Sequence, residues 1–271
     1  MHKRKTIFLI TAIFLIIAGA VFFHLQNRDD KFSFSPNNNE ASWTFDGKSW
    51  QVRGAPPPCP DPLTLPSPVD INLVSGILYP GQDRGNDYKP HGAFRFDNRD
   101  TNDIEVRAIM DGYILKASRY EDFGGEIQNF MFYVNPCGIM IMHDHFLTPS
   151  PKLQEIFDKL PIGQNGDSRT TYIEPKVYVK KGEILATEIG YRNFPGGYKN
   201  KNIGVDFGLY DLRKTNGVNY DSSFRTKFPM IDEYGTHAVC WLDYLEEPGR
   251  SLVRSLPGVD GRSGASSDYC K

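Results

Sequence analysis

Three groups of residues in this chain combine types and spacing suited to chemistry: His91 with Asp97 in PHGAFRFDN, His143 with His145 in IMHDHF, and Asp206 in IGVDFGLYD. Imidazole and carboxylate together suit zinc, whose catalytic sites take three protein ligands and leave one position for water. On a strand, residues of equal parity share a face. His91 and Asp97 therefore face the same way if the interval between them stays extended, and the same rule sets His143 beside His145. A structural reading competes at each position: any of these histidines can be a hydrogen-bonded structural residue, and Asp97, followed by Asn98, can cap a turn. His237, in YGTHAVCWLDYL, precedes an apolar stretch and reads as structural, with a role as a substitute imidazole if an added strand carries it to the site.

The elements that must position these groups read as strands. From Val69 onward, short apolar runs alternate with turn signals (DINLVSGILY, IEVRAIMDGYILKAS, GIMIMH, KVYVKKGEILATEIG, IGVDFGLYDL), which is the spacing of an all-β domain. Asp111-Gly112 is the strongest hairpin signal, and Lys181-Gly182 marks a tight turn. One helix is expected at 151–160, where Leu153, Ile156, Phe157 and Leu160 fall at i, i+3, i+4 and i+7. The segment 54–68 holds seven prolines, which disfavour helix and central strand. The tail 246–271 is rich in Gly and Ser and reads as irregular. Four cysteines, Cys59, Cys137, Cys240 and Cys270, form no CxxC pair, and an even number in an oxidising compartment predicts two disulfides with three possible connectivities.

The compartment follows from the N-terminus. Eighteen uncharged, mostly apolar residues, Thr6 to Phe23, follow Lys3, Arg4 and Lys5. At about 1.5 Å per residue they span roughly 27 Å, a bilayer core, and the positive-inside rule keeps the N-terminus cytoplasmic. We read residues 1–26 as a retained transmembrane helix with its basic stub. A cleaved signal at Ala18, Gly19 and Ala20 is the competing reading; both put the folded part outside the cytoplasm. Residues 27–42 form a polar stalk, 43–75 a Pro-rich lead-in and 76–245 the β domain. With 31 basic and 33 acidic residues, a net charge of −2 gives no footprint for nucleic acid.

The series HGAFRFD, Val106 to Ile114 (V-x-A-x-x-D-G-Y-I), HDHF, VYVKKGEILA and GVDFGLYD resembles the lysostaphin-type zinc metallopeptidases over about Gly76 to Leu212. The resemblance implies a β-sandwich, the duplicated hybrid motif, with one short inserted helix, and cleavage of peptidoglycan peptides at the cell envelope. It implies zinc held by His91, Asp97 and Asp206, with His145 as the catalytic histidine and His143 and His237 as additional candidates. Family members place two ligands as His, three residues, Asp, whereas five residues separate His91 from Asp97. HDH admits two registers: in the preferred one Gly204 replaces a histidine that assists catalysis and Asp206 replaces a ligand histidine, and in the other His145 is the ligand and His143 the assisting base. The function expected is therefore a divergent zinc endopeptidase or a catalytically reduced form, with a non-catalytic binding or activator module as the alternative. VYVKKGEILA also resembles the half-motifs of barrel-sandwich hybrid carrier and adaptor domains, but Met-Lys-Met is absent.

Overall fold

The computed structural model describes residues 40–194, 202–260 and 263–271. The expected anchor, residues 1–26, and all of the stalk but its last residues lie outside them. Among the described residues no helix is long and apolar enough to cross a membrane.

The chain is mostly β-sheet with few helices. A hairpin, β1 (Ser42–Phe45) and β2 (Trp50–Arg53), comes first, inside the segment read as a Pro-rich lead-in. There follow β3 (Gly76–Leu78), the ribbon β4 (Gln82–Arg84) and β5 (Asp87–Lys89), β6 (Gly92–Arg95) and β7 (Val106–Arg107). Three long strands form the centre: β8 (Gly112–Asp122), β9 (Glu126–Val134) and β10 (Ile139–Pro149). Helix α1 (Pro151–Phe157) comes next, then β11 (Ile162–Gly163), β12 (Thr171–Tyr172), β13 (Tyr178–Val179), β14 (Ile184–Ile189) and β15 (Gly204–Asp211). Helices α2 (Ser222–Lys227) and α3 (Gly249–Ser255) lie beyond the sheet. The main sheet runs β11-β8-β9-β10-β15-β6-β3, and β14 pairs with both β10 and β7.

Helix α1 buries Leu153 and Phe157, four residues apart on one face, as its periodicity predicts. Two further helices correct the expectation of a single one. Asp221 caps α2 by accepting the Phe224 N–H, and α3 buries Val253 within a tail expected to be irregular. Asp111-Gly112 is not a hairpin turn either. It carries the chain from β7, which pairs with β14, to β8, which pairs with β9.

Period-two alternation on the long strands sends side chains to both faces, and both are covered. Ile139 and Ile141 of β10 join Val205, Phe207, Leu185 and Trp241 in the main core. Met140 and Met142 face the other way, onto Trp43, Trp50, Phe132 and Tyr210. On that second face Lys116 and Glu233 form a buried ion pair, and the ammonium lies 4.5 Å from the ring centroid of Tyr172 and 5.9 Å from that of Trp50. The disulfides are Cys59–Cys137 and Cys240–Cys270. The second holds the C-terminal segment, whose Gly258 bridges to Ile77 of the edge strand β3.

Candidate functional site

Register brings the polar groups together. On β15, Asp206 stands opposite Ala93 of β6 and opposite Asp144 of β10. Cross-strand partners share a face, so Asp206 and Asp144 project from the same side of the sheet. His91, just before β6, has the parity of Ala93, and its Nε2 lies 3.0 Å from Asp206 Oδ2. His145 Nε2 lies 3.7 Å from the same oxygen.

His145 reaches this face through a β-bulge. His143 pairs with Met131 and Phe146 with Asn129, so three steps along β10 match two along β9, and one residue is extra. His145 takes φ +68°, a left-handed conformation costing about 1–3 kcal/mol in a non-glycine residue. Two hydrogen bonds hold it there: its N–H donates to Asp144 Oδ1 at 2.7 Å, and its carbonyl accepts the Gly190 N–H at 2.8 Å. Gly190 itself has φ +78°, and a Cβ at that position would lie 2.5 Å from the Asn202 carbonyl oxygen.

The bulge separates the two histidines expected side by side. His143 turns into the core, fully buried against Tyr133, Phe146 and Phe207, and neither ring nitrogen has a hydrogen-bond partner among the described residues. Burial pushes its pKa down to about 3, so it is neutral. His237 is also remote in role: its Nδ1 lies 2.9 Å from the Lys214 carbonyl oxygen, a structural contact.

Asp97 does not join the cluster. Parity is right, but the four strand residues Gly92–Arg95 alone, at about 3.3 Å each, carry the chain about 13 Å away from His91 before Asp97 is reached, too far for two ligands of one ion. Its carboxylate is exposed and receives hydrogen bonds from the Arg95 guanidinium, Nε to Oδ2 at 3.1 Å. Sequence reasoning passed over Arg95, whose parity on β6 matches His91 and whose partner in register is Gly204. The Arg95 side chain lies across that glycine: a Cβ at 204 would be 3.0 Å from Arg95 Cδ and 3.2 Å from Nε. The signal was in the sequence as a lone cation four residues after His91.

Electrostatics give each group a state. Burial opposes charge on Asp206, yet the hydrogen bond from His91 and the nearby Arg84 guanidinium hold the carboxyl well below the usual range. Burial lowers the pKa of His91 despite Asp206, so a neutral imidazole donates Nε2–H to the carboxylate. Asp144 is pushed up to about 6, by burial first and by Asp206 in addition; Tyr120 donates to it at 2.9 Å. Tyr191 donates its proton to Asp122 at 2.6 Å, so its oxygen accepts from His145 Nδ1 at 3.1 Å. The other ring nitrogen of His145, Nε2, is thereby turned toward Asp206, 3.7 Å away. Arg84, half-buried, donates to the His91 carbonyl at 3.0 Å and fixes the backbone that presents the imidazole.

Beside His91 opens a cleft of about 280 Å³. Phe130, Phe132, Met142 and Tyr210 of β9, β10 and β15 line it, with Tyr88, Phe228 and Met230 opposite. Lys89, Arg169 and Lys227 also line it.

These residues do not fit a zinc ion. His91 and Asp206 are hydrogen-bonded directly, the third expected ligand is elsewhere, and among the described residues no group of three His, Cys, Asp or Glu side chains is arranged to hold a metal. The arrangement can orient His145, hold a half-buried carboxylate ionised and accept a ligand in the cleft. Compared with protein-family models, curated proteins and solved structures, the chain matches none.

Proposed function

We propose that this chain is a metal-free binding module built on a lysostaphin-type β-sandwich and held at the cell envelope. The observation that carries this is Arg95. In the pattern the sequence resembles, a ligand aspartate stands four residues after the first histidine; here that residue is Arg95, and its stem fills the space over Gly204, where the pattern has an assisting histidine. The two departures are one packing change, in which a cation replaces a metal ligand and covers the lost imidazole. A guanidinium at that point repels a divalent ion. The two disulfides suit an oxidising, extracytoplasmic compartment, as the apolar N-terminal run does. Partners on this reading are peptides or peptidoglycan of the envelope.

A divergent endopeptidase is the second reading, favoured by the oriented His145, whose Nδ1 lies 3.1 Å from the Tyr191 hydroxyl and whose Nε2 lies 3.7 Å from Asp206. Metal analysis of the purified chain after incubation with zinc and dialysis separates them. The binding-module reading expects far less than one equivalent. A full equivalent that disappears in His91→Ala would overturn it.

A further inference from the structure

We propose that the cleft beside His91 binds an amphipathic carboxylate, its apolar body seated on the sheet face and its carboxylate held at the rim by Lys89, Arg169 and Lys227. The inference rests on the binding-module reading and names the ligand class. The floor, Phe130, Phe132, Met142 and Tyr210, is apolar and comes from three adjacent strands, so it is rigid and already formed. Met230, which also lines the cleft, is 53% exposed, and a seated apolar group would cover it.

The rim decides the charge. The cleft is lined by three basic side chains and one carboxylate, Asp87, which pairs with Lys89 at 2.8 Å. The carboxylates that partner Arg169 and Lys227 are Asp167 and Asp83, and neither lines the cleft; the Lys227–Asp83 contact is loose, at 3.5 Å. His91 contributes no charge, because burial keeps it neutral and its Nε2–H is committed to Asp206. Among the charged side chains that line the cleft, cations therefore outnumber carboxylates three to one, which favours an anionic group at the rim. A cation is repelled there, and a small inorganic anion leaves the floor uncovered. At about 280 Å³ the cleft is near the small end of ligand sites, of about 300–1,000 Å³, and takes a side-chain-sized body.

Two sources supply this chemistry: the terminal carboxylate of a short envelope peptide, and a free aromatic or aliphatic acid. The test is calorimetric titration of the full-length chain, with chelator present, using phenylpropanoate and its primary amide, and N-acetyl-alanyl-alanine and its amide. Each acid should bind about tenfold more tightly than its amide at low salt, and the gap should shrink at high salt. The double variant Arg169→Gln/Lys227→Gln, both exposed positions, should abolish the gap while leaving amide binding intact. Met142→Trp should block both ligands. Tighter binding of the dipeptide identifies the peptide source; tighter binding of phenylpropanoate identifies the free acid. Equal binding of acid and amide, a gap that survives the double variant, or no binding of any probe would overturn the proposal. Because chelator is present, zinc retention found separately would defeat the metal-free reading without touching this result.

Discussion

Replacing His143 with phenylalanine should remove a defined part of the protein's acid sensitivity. The folded state holds this imidazole neutral down to about pH 3, by burial alone, whereas an unfolded chain protonates it near 6.5. Between those values the unfolded state binds more protons, so stability falls as pH falls through the window and is unaffected above it. Each pH unit in the window costs about 1.4 kcal/mol, which is about 2 kcal/mol by pH 5 and about 5 kcal/mol by pH 3. Phenylalanine carries no titrating group and stacks with the same rings of Tyr133, Phe146 and Phe207. At neutral pH the relief of two unpaired ring nitrogens, about 1–3 kcal/mol each, opposes an overpacking cost of about 1–3 kcal/mol, so the neutral-pH difference does not test the argument. The pH slope does. Urea unfolding of both proteins at about pH 7 and about pH 5 should show the wild type losing about 2 kcal/mol more than His143→Phe between the two conditions. Equal losses would refute the assignment of His143 to the core as a neutral, unpartnered imidazole.

Glu233→Gln should destabilise by about 3–5 kcal/mol in thermal unfolding, because it leaves the buried Lys116 ammonium without its carboxylate. Lys116→Met combined with Glu233→Leu should recover most of that loss; failure to recover would show that the pair is not the cause. Cys240→Ser/Cys270→Ser should cost about 3–4 kcal/mol by denaturant titration, from opening a loop of 30 residues. A negligible loss would show that the C-terminal segment is held without it.

Local patterns were enough for β8, β10, β14 and β15 and for α1, where Leu153 and Phe157 mark one helix face, but the central strand β9 and the β1–β2 hairpin went unread. The even cysteine number gave two disulfides, but pairing depends on which loops meet, and spacing along the chain does not encode that. The site was legible only in part. His91, His145 and Asp206 lie together, because three adjacent strands in register bring them there. Asp97 was placed by parity, which fixes a face and says nothing of distance along it. His143 and His145 were paired by the same rule, and an extra residue in β10, stabilised by Asp144 and Gly190, breaks it. Asp111-Gly112 has the composition of a hairpin turn but marks a crossing between ladders, since the partners of β7 and β8 are set by contacts distant in sequence.

The C-terminal segment closes the open side of the sheet. Ile77 donates its N–H to the Pro257 carbonyl at 2.9 Å, and Val259 donates to the Ile77 carbonyl at 3.0 Å, so the outer edge of β3 is occupied by the chain's own tail. An uncovered edge strand is a template for pairing with another molecule. Reduction of Cys240–Cys270 removes the covalent hold on that tail, so exposure of this edge, and with it self-association, is expected to rise when the thiols are reduced, which light scattering of the oxidised and reduced protein checks.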